Sequence, residues 1–545
     1  MTINILSLNS FSVYTEYFIG ISVIYVLIIL IILTGNVQGL LIQGIISEAF
    51  AIILLANCFL MMNEHQFCFK ISNSQPINEV LFYYGLNTHI LNDNVSSISK
   101  FILCFFNFIF FMIISEFFKR NILTFEFIIL LFFAVLGLIF MCSSGDFILI
   151  FLSMELISLV SYLITSFRKK SIKSVESGVK YLVIGTIASS LFVLGVSFIY
   201  LFTGSFLISD YTILFLDLNL SFFVNSDYSV LLALENLINS SPASIGYGFN
   251  NSFLIEIGLF CVLISVFIKL GLAPFHLWLI DVYENAPTIA TFFFSALTKF
   301  SFIVLLFRVS TPFVSYFYYF LSNMCLIISL TSILVGSFAN LQQKKIKTFL
   351  AYSSINHMGF VILSLSFFKS FSLAYSLYYL IIYMLTNLLI WHVVLLIAEI
   401  KKNHKFKNSI DFSDFLLLNK SQPILAFGLL IGFCSSSGLP PFIGFFSKFQ
   451  ILSVLIEAKF FSVGLMVVIC SIISTFYYIR ILKILYFENV FVGKLYEPIN
   501  SNKILIFCSL AFSLILLLIK PNLLYLIVYY FIIQFFSDSN IYYLF

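Results

Sequence analysis

Gly271-Leu-Ala-Pro-Phe275 and Gly438-Leu-Pro-Pro-Phe442 are two versions of one pentapeptide, each set inside a long hydrophobic segment. A lysine stands close to each, Lys269 before the first and Lys448 after the second. Proline removes a backbone donor and breaks the helical hydrogen-bond ladder. In a bilayer such a break survives only where protein or a water-lined cavity satisfies the freed groups. Paired breaks in two halves of one chain are the sequence mark of an ion site in a repeat-built transporter. The pair therefore predicts a membrane protein that moves ions through two half-channels.

Composition agrees with a chain solvated by lipid. Of 545 residues, 61% are hydrophobic and 10% charged, and the mean hydropathy is +1.09. Soluble domains carry roughly 25% charged residues. The 70 phenylalanines, with abundant Ile, Asn, Tyr and Lys, are the residues of AT-rich codons, so we read them as compositional drift rather than as a functional stripe. None of the nine cysteines forms a C-x-x-C pair, so the spacings of zinc and iron–sulfur sites are absent. No nucleotide-binding glycine fingerprint is present either. The expectation is a subunit that handles neither electrons nor nucleotides. Residues 1–12 contain no basic residue, which argues against an Arg-rich transit peptide and a cleaved signal.

About 20 apolar residues cross a bilayer, and fourteen such segments are legible: 17–34, 39–62, 99–118, 122–143, 145–167, 176–203, 253–280, 287–307, 313–340, 346–367, 370–399, 423–455, 461–487 and 503–520. Eighteen Lys and Arg flank connections from an odd span to the next even one, against six on the other side. That bias places the odd-to-even loops inside. The fold predicted is an all-α polytopic membrane protein with about 14 transmembrane helices. Spans 4–8 and 9–13 form two inverted five-helix repeats whose seventh and twelfth members are the broken helices. The divisions are 1–121 (helices 1–3 with a long loop), 122–308 (first repeat), 309–490 (second repeat) and 491–545 (helix 14 and a tail).

Charges inside the membrane cost at least about 2.5–3.5 kcal/mol each. Glu116, Glu126, Glu256, Glu457 and Lys520 lie near span ends and can snorkel. Glu176 and Lys180, four apart, suit a local pair, and Lys180 is the better ion-path candidate of the two. Glu48 is deeper, where a partner subunit can satisfy it. Four residues are harder to excuse: Glu155, mid-span in Phe-Leu-Ser-Met-Glu-Leu; Lys269, before the first break; Lys299, in Ala-Leu-Thr-Lys-Phe-Ser; and Lys448, after the second break. Burial moves lysines and carboxylates toward neutrality, where they exchange protons. A Glu155–Lys269 pair would oppose that shift and act as a switch. His276 and His357 are relay candidates because imidazole titrates near neutrality, with His392 a weaker third. The competing view is a set of static, helix-joining ion pairs.

These stretches resemble the antiporter-like, proton-translocating subunits of respiratory complex I, more narrowly the family of mitochondrial subunit 2 and bacterial subunit N. The resemblance rests on Phe267–Trp278, Asp281–Thr288, Leu350–Gly359 and Gly438–Phe449, with Lys180–Ser190 and Ser474–Arg480 also fitting. Asp281-Val-Tyr283 stands where relatives carry Ala-His-x-Glu, and Lys448 stands where one carries glutamate. The long 204–252 loop and the chain ends depart from the pattern.

By this resemblance Glu155 partners Lys269, Lys299 is the central relay lysine, and Lys448 is the terminal lysine of the second half-channel. His276 and His357 would lie along the same axis. No cofactor belongs to such a subunit; NADH, FMN, iron–sulfur clusters and ubiquinone are used elsewhere in the complex. The implied partners are membrane-arm subunits 4L, 3, 6 and 4 and the lipid bilayer, with protons transported and no nucleic acid bound. The implied location is the mitochondrial inner membrane, although the motifs hardly separate it from the plastid relative. Two alternatives remain: a free-standing cation/proton antiporter, and a scaffold whose channel is silent.

Overall fold

The computed structural model describes residues 48–55, 84–85, 89–91, 93–119, 125–212, 214–215, 252–403, 411–416, 418–488 and 501–538. The expected span 17–34, most of 39–62, the cysteines 58 and 68, and most of the two long loops lie outside them. Fourteen helices of nine or more residues are named here: α1 (Asn94–Lys119), α2 (Phe125–Ser143), α3 (Phe147–Thr165), α4 (Ile172–Thr203), α5 (Ser252–Leu270), α6 (Leu277–Asn285), α7 (Thr288–Asn340), α8 (Ile346–Leu365), α9 (Ser370–Asn403), α10 (Pro423–Ser437), α11 (Ile443–Glu457), α12 (Phe461–Tyr486), α13 (Ser501–Ile519) and α14 (Pro521–Asp538). Among the described residues nine helices are long and apolar enough to cross a membrane, and the bent α13–α14 pair makes a tenth.

Helix ends follow local chemistry. Asp146 caps α3, its carboxylate accepting the Leu149 amide at 3.0 Å. Pro423 opens α10, where its missing donor costs nothing. Between the ends the helices are apolar on most sides, as expected where lipid, not water, bounds the bundle. α8, α9 and the first half of α7 are almost wholly buried and form the centre, whereas α4 and α12 leave most of their surface at the rim. α5 packs along α4, α8 along α7, and α9 touches α8, α10, α11 and α14.

One expectation needs correction. Residues 287–307 and 313–340 were expected as separate spans turning at 308–312, yet helix continues through Pro312 and is interrupted only at Phe317 (φ −107°, ψ 28°). The 53 residues would measure about 80 Å, more than twice the hydrocarbon thickness, so the interruption divides α7 into two lengths that each suffice to span. Helix runs on past 308–312 because Arg308 needs no polar loop there. It is buried, donating to the Asp93 carboxylate at 2.7 Å and the Ser144 carbonyl at 3.4 Å. The tail after residue 520 also has a definite place: α14 turns back by 87° from α13 and packs on α9 and α1.

Bonds between loops give an independent view of sidedness. Lys345 pairs with Glu284, Lys347 donates to the Ala286 carbonyl at 2.6 Å, and Arg480 to Leu341 at 3.1 Å. A backbone bridge joins Lys345 to Asp411. All of these groups lie on or beside odd-to-even connections. On the opposite side Arg308 meets Asp93 and Ser144, and Asp146 bridges Leu207. Each of these bonds joins connections of one parity, as the charge count demands.

Candidate functional site

The two breaks have one backbone. α5 ends at Leu270, Gly271 takes φ 70°, and the Ala273–Pro274 peptide is cis; α10 ends at Ser437, Gly438 takes φ 78°, and Pro440–Pro441 is cis. The left-handed glycine conformation stops each helix, and a β-carbon is disfavoured at both places. The freed carbonyls are answered by protein groups. Trp278 Nε1 donates to Ile268 at 3.0 Å, and Thr331 of α7 donates to Ala273 at 3.0 Å. In the second break Lys448 Nζ itself donates to the Ser437 carbonyl at 2.6 Å. A cation at a helix C-terminus is favoured by the backbone dipole as well.

Lys269 and Lys299 enter one cavity from α5 and α7. It offers about 20 Å³ for water centres and is walled by Ile157, Tyr181, Trp278, Tyr283 and Phe294. A water needs about 10–15 Å³ measured that way. Both lysines are buried. Lys269 Nζ makes no hydrogen bond, and the expected ion pair with Glu155 is not closed. Glu155 lies half-buried on α3, with one oxygen turned to Ser158 Oγ at 3.3 Å and the other buried without a partner. Lys299 faces α9, 3.4 Å from the Tyr383 hydroxyl and 5.5 Å from its ring centroid.

Tyr383 connects this cavity to a second one, of about 10 Å³, walled by His357, Tyr379, Tyr383, Ser436 and Lys448. The Tyr383 hydroxyl lies 3.3 Å from the Ser295 carbonyl, to which Asn387 Nδ2 also donates at 3.0 Å. The His357 ring centroid is 5.1 Å from that of Tyr383. His357 Nδ1 is bonded to the Tyr379 hydroxyl at 2.7 Å and Nε2 to the Tyr478 hydroxyl at 3.0 Å. Lys448 reaches Ser474 Oγ at 3.5 Å besides its bond to Ser437, and Phe360 lies 5.4 Å beneath its ammonium. The sequence candidates Lys269, Lys299, His357 and Lys448 are thus brought into one buried polar file.

Three candidates stand apart from it. His276 is half-exposed on the flank of α6, its Nδ1 3.2 Å from the Pro274 carbonyl and its ring 6.5 Å from Tyr352, and it lines neither cavity. Lys180 is bonded at 2.8 Å to both Glu176 and Asp281. His392 is fully buried near Phe507, with both ring nitrogens unbonded. The tyrosines were missed by the sequence reading. Their signal was present: Tyr379, Tyr383 and Asn387 recur every four residues of α9, one stripe of a helix.

The transmembrane model of the NADH:quinone oxidoreductase/Mrp antiporter family matches residues 144–474. Solved structures share the architecture: a chain of respiratory complex I from Thermus thermophilus (TM-score 0.68, 20% identity, 94% of this chain and 98% of that one), and a chain of the Mrp complex from Dietzia sp. (TM-score 0.73, 14% identity, 98% of each). Subunit N of the NADH-quinone oxidoreductase of Paramagnetospirillum magneticum is 32% identical over 403 residues, 73% of this chain and 76% of that protein. NADH-ubiquinone oxidoreductase chain 2 of Marchantia polymorpha is 30% identical over 414 residues, 76% of this chain and 78% of that one. The family model and the apolar helices define a multi-pass membrane protein of the antiporter-like class, here with two glycine-terminated breaks and buried lysines beside them. Within that class the chain belongs to the family of NADH-quinone oxidoreductase subunit N and NADH-ubiquinone oxidoreductase chain 2.

Proposed function

We propose that this chain is a proton-translocating membrane-arm subunit of a respiratory NADH:quinone oxidoreductase. The observation that carries the reading is the buried file from Lys269 through Lys299 and Tyr383 to His357 and Lys448, which crosses from one broken helix to the other. Fourteen spans, two inverted five-helix repeats over 122–308 and 309–490, and flanking segments 1–121 and 491–545 are the frame we assign to it. Redox chemistry, with its NADH, flavin, iron–sulfur and quinone groups, belongs to other subunits. The neighbours are membrane-arm subunits 4L, 3 and 6 on one side and 4 on the other, in the mitochondrial inner membrane.

In this mechanism a change of charge near Glu155 alters the proton affinity of Lys269. Lys269 and Lys299 share a cavity large enough for a bridging water. The Tyr383 hydroxyl, donor and acceptor at once, carries the proton across α9 toward the Tyr379–His357–Tyr478 group. Lys448 is the last holder. His276 has no part in this route, and Lys180 stands at its edge.

Lys299→Ala tests the assignment. An assembled complex with fewer protons moved per electron is expected, and full proton yield would turn the subunit into a scaffold. The likeness in fold to an Mrp complex favours one other reading, a free-standing cation/proton antiporter. Native electrophoresis separates them: co-migration with a large NADH-oxidising band supports the respiratory assignment, and a small inactive band overturns it.

A further inference from the structure

Glycines 271 and 438 align the two breaks, and ten residues beyond each stands a charged side chain: Asp281 on α6 and Lys448 on α11. The second is the terminal group of the buried file. The first lies at the corresponding place of the other half but faces outward, half-exposed, and binds Lys180 of α4 at 2.8 Å. Lys180 is shared, because Glu176 holds it at 2.8 Å as well. Tyr181 follows Lys180 in the chain and Trp278 stands three residues before Asp281; their rings stack at 4.9 Å and 13° and wall the Lys269–Lys299 cavity. The ion-pair cluster is thus tied through α4 and α6 to the stack that walls the cavity of the two lysines. It is also on the basic side of the molecule, since α6 runs into the connection tied to α8 by Lys345–Glu284 and by Lys347.

We infer that Asp281 and Lys180 are positioning residues for proton entry, latching the Tyr181–Trp278 stack across the basic-side mouth of the first half-path. This rests on the proton-translocating reading given above. Two carboxylates share one ammonium, so Lys180 keeps a partner when Asp281 lets go, and α6 moves without leaving the cation unpaired. The latch is built from exposed groups, whose pairing is weak and readily exchanged. Trp278 also caps the last turn of α5, so displacement of α6 reaches the residue beside Lys269.

The test is made in the assembled complex in membranes, with a cysteine replacing Leu270, which is buried and walls the cavity. A small charged thiol reagent is added from the basic side. Leu270→Cys is expected to react about five-fold faster when combined with Asp281→Asn, the shift that loss of one exposed pair produces. Asp281→Glu restores the slow rate. Lys180→Gln, which leaves α6 unaltered, gives a second variant and the same acceleration. Equal rates in all four backgrounds would overturn the latch. Proton yield of Lys299→Ala is read beside it: full yield removes the path, whereas the labelling rates report the mouth regardless.

Discussion

The two broken helices share a backbone and differ in what answers their free carbonyls. In the second break the lysine does this itself: Lys448 donates to Ser437 and leans on Ser474. In the first the Ile268 carbonyl takes both the Gly271 amide and the Trp278 indole, each at 3.0 Å, and Lys269 is left without a hydrogen bond inside a cavity. One lysine is thus part of a helix cap, held by fixed dipoles. The other is released from structural duty, so its charge answers to neighbours such as Glu155 and Lys299. The same fold motif leaves one lysine bonded into a helix end and the other without a hydrogen bond.

The largest effects should come from the lysines, and they should differ in kind. Lys269→Ala and Lys448→Ala are each expected to cut proton translocation by about two orders of magnitude, the range for loss of a positioned proton carrier. Only Lys448→Ala should also lower the unfolding midpoint of the subunit, since an orphaned carbonyl at a buried helix end costs about 1–3 kcal/mol. Equal thermal shifts in the two variants would erase the contrast. Tyr383→Phe removes the hydroxyl that joins the cavities, and a drop of about ten-fold in protons per electron is expected. A full yield would show that the halves work independently.

Trp278→Phe sharpens the comparison further. It deletes the indole donor at a cost of about 1 kcal/mol. Ile268 keeps the Gly271 amide on its carbonyl at 3.0 Å, so the end of α5 should hold while the wall of the Lys269 cavity loosens. Slower proton uptake at nearly normal assembly is the expected outcome, read as the rate of acidification after a pulse of NADH. The smallest effect is that of His276→Gln, within about two-fold of the parent in turnover, as for a surface substitution. A severe loss there would place the histidine back on the route.

Much of this was legible beforehand because lipid makes breaks and charges conspicuous. Lys269, Lys299 and Lys448 stood out as unaffordable, and the structure buries all three. The parity of basic residues anticipated which connections bond to one another. What escaped was chemistry disguised as composition. In a chain so rich in aromatics, Tyr379, Tyr383 and Tyr478 look like the surrounding phenylalanines, and only their hydroxyl contacts distinguish them. Arg308 was likewise assigned to a loop because its partner, Asp93, is more than two hundred residues away in sequence. His276 was favoured for its position beside a break, but a break has an outer side as well as an inner one.

The last helix, α14, rests against α1, about four hundred residues earlier in the chain, and against α9 between them. Synthesis at 5–20 residues per second puts roughly 20–80 s between the emergence of those two surfaces. During that interval α1, joined later by α9, stands in the bilayer with the seat of α14 open to whatever diffuses past. The closing contact is therefore made by a helix synthesised some four hundred residues after its seat, and a late frameshift would leave a bundle with Lys269, Lys299 and Lys448 in place and its seam unsewn.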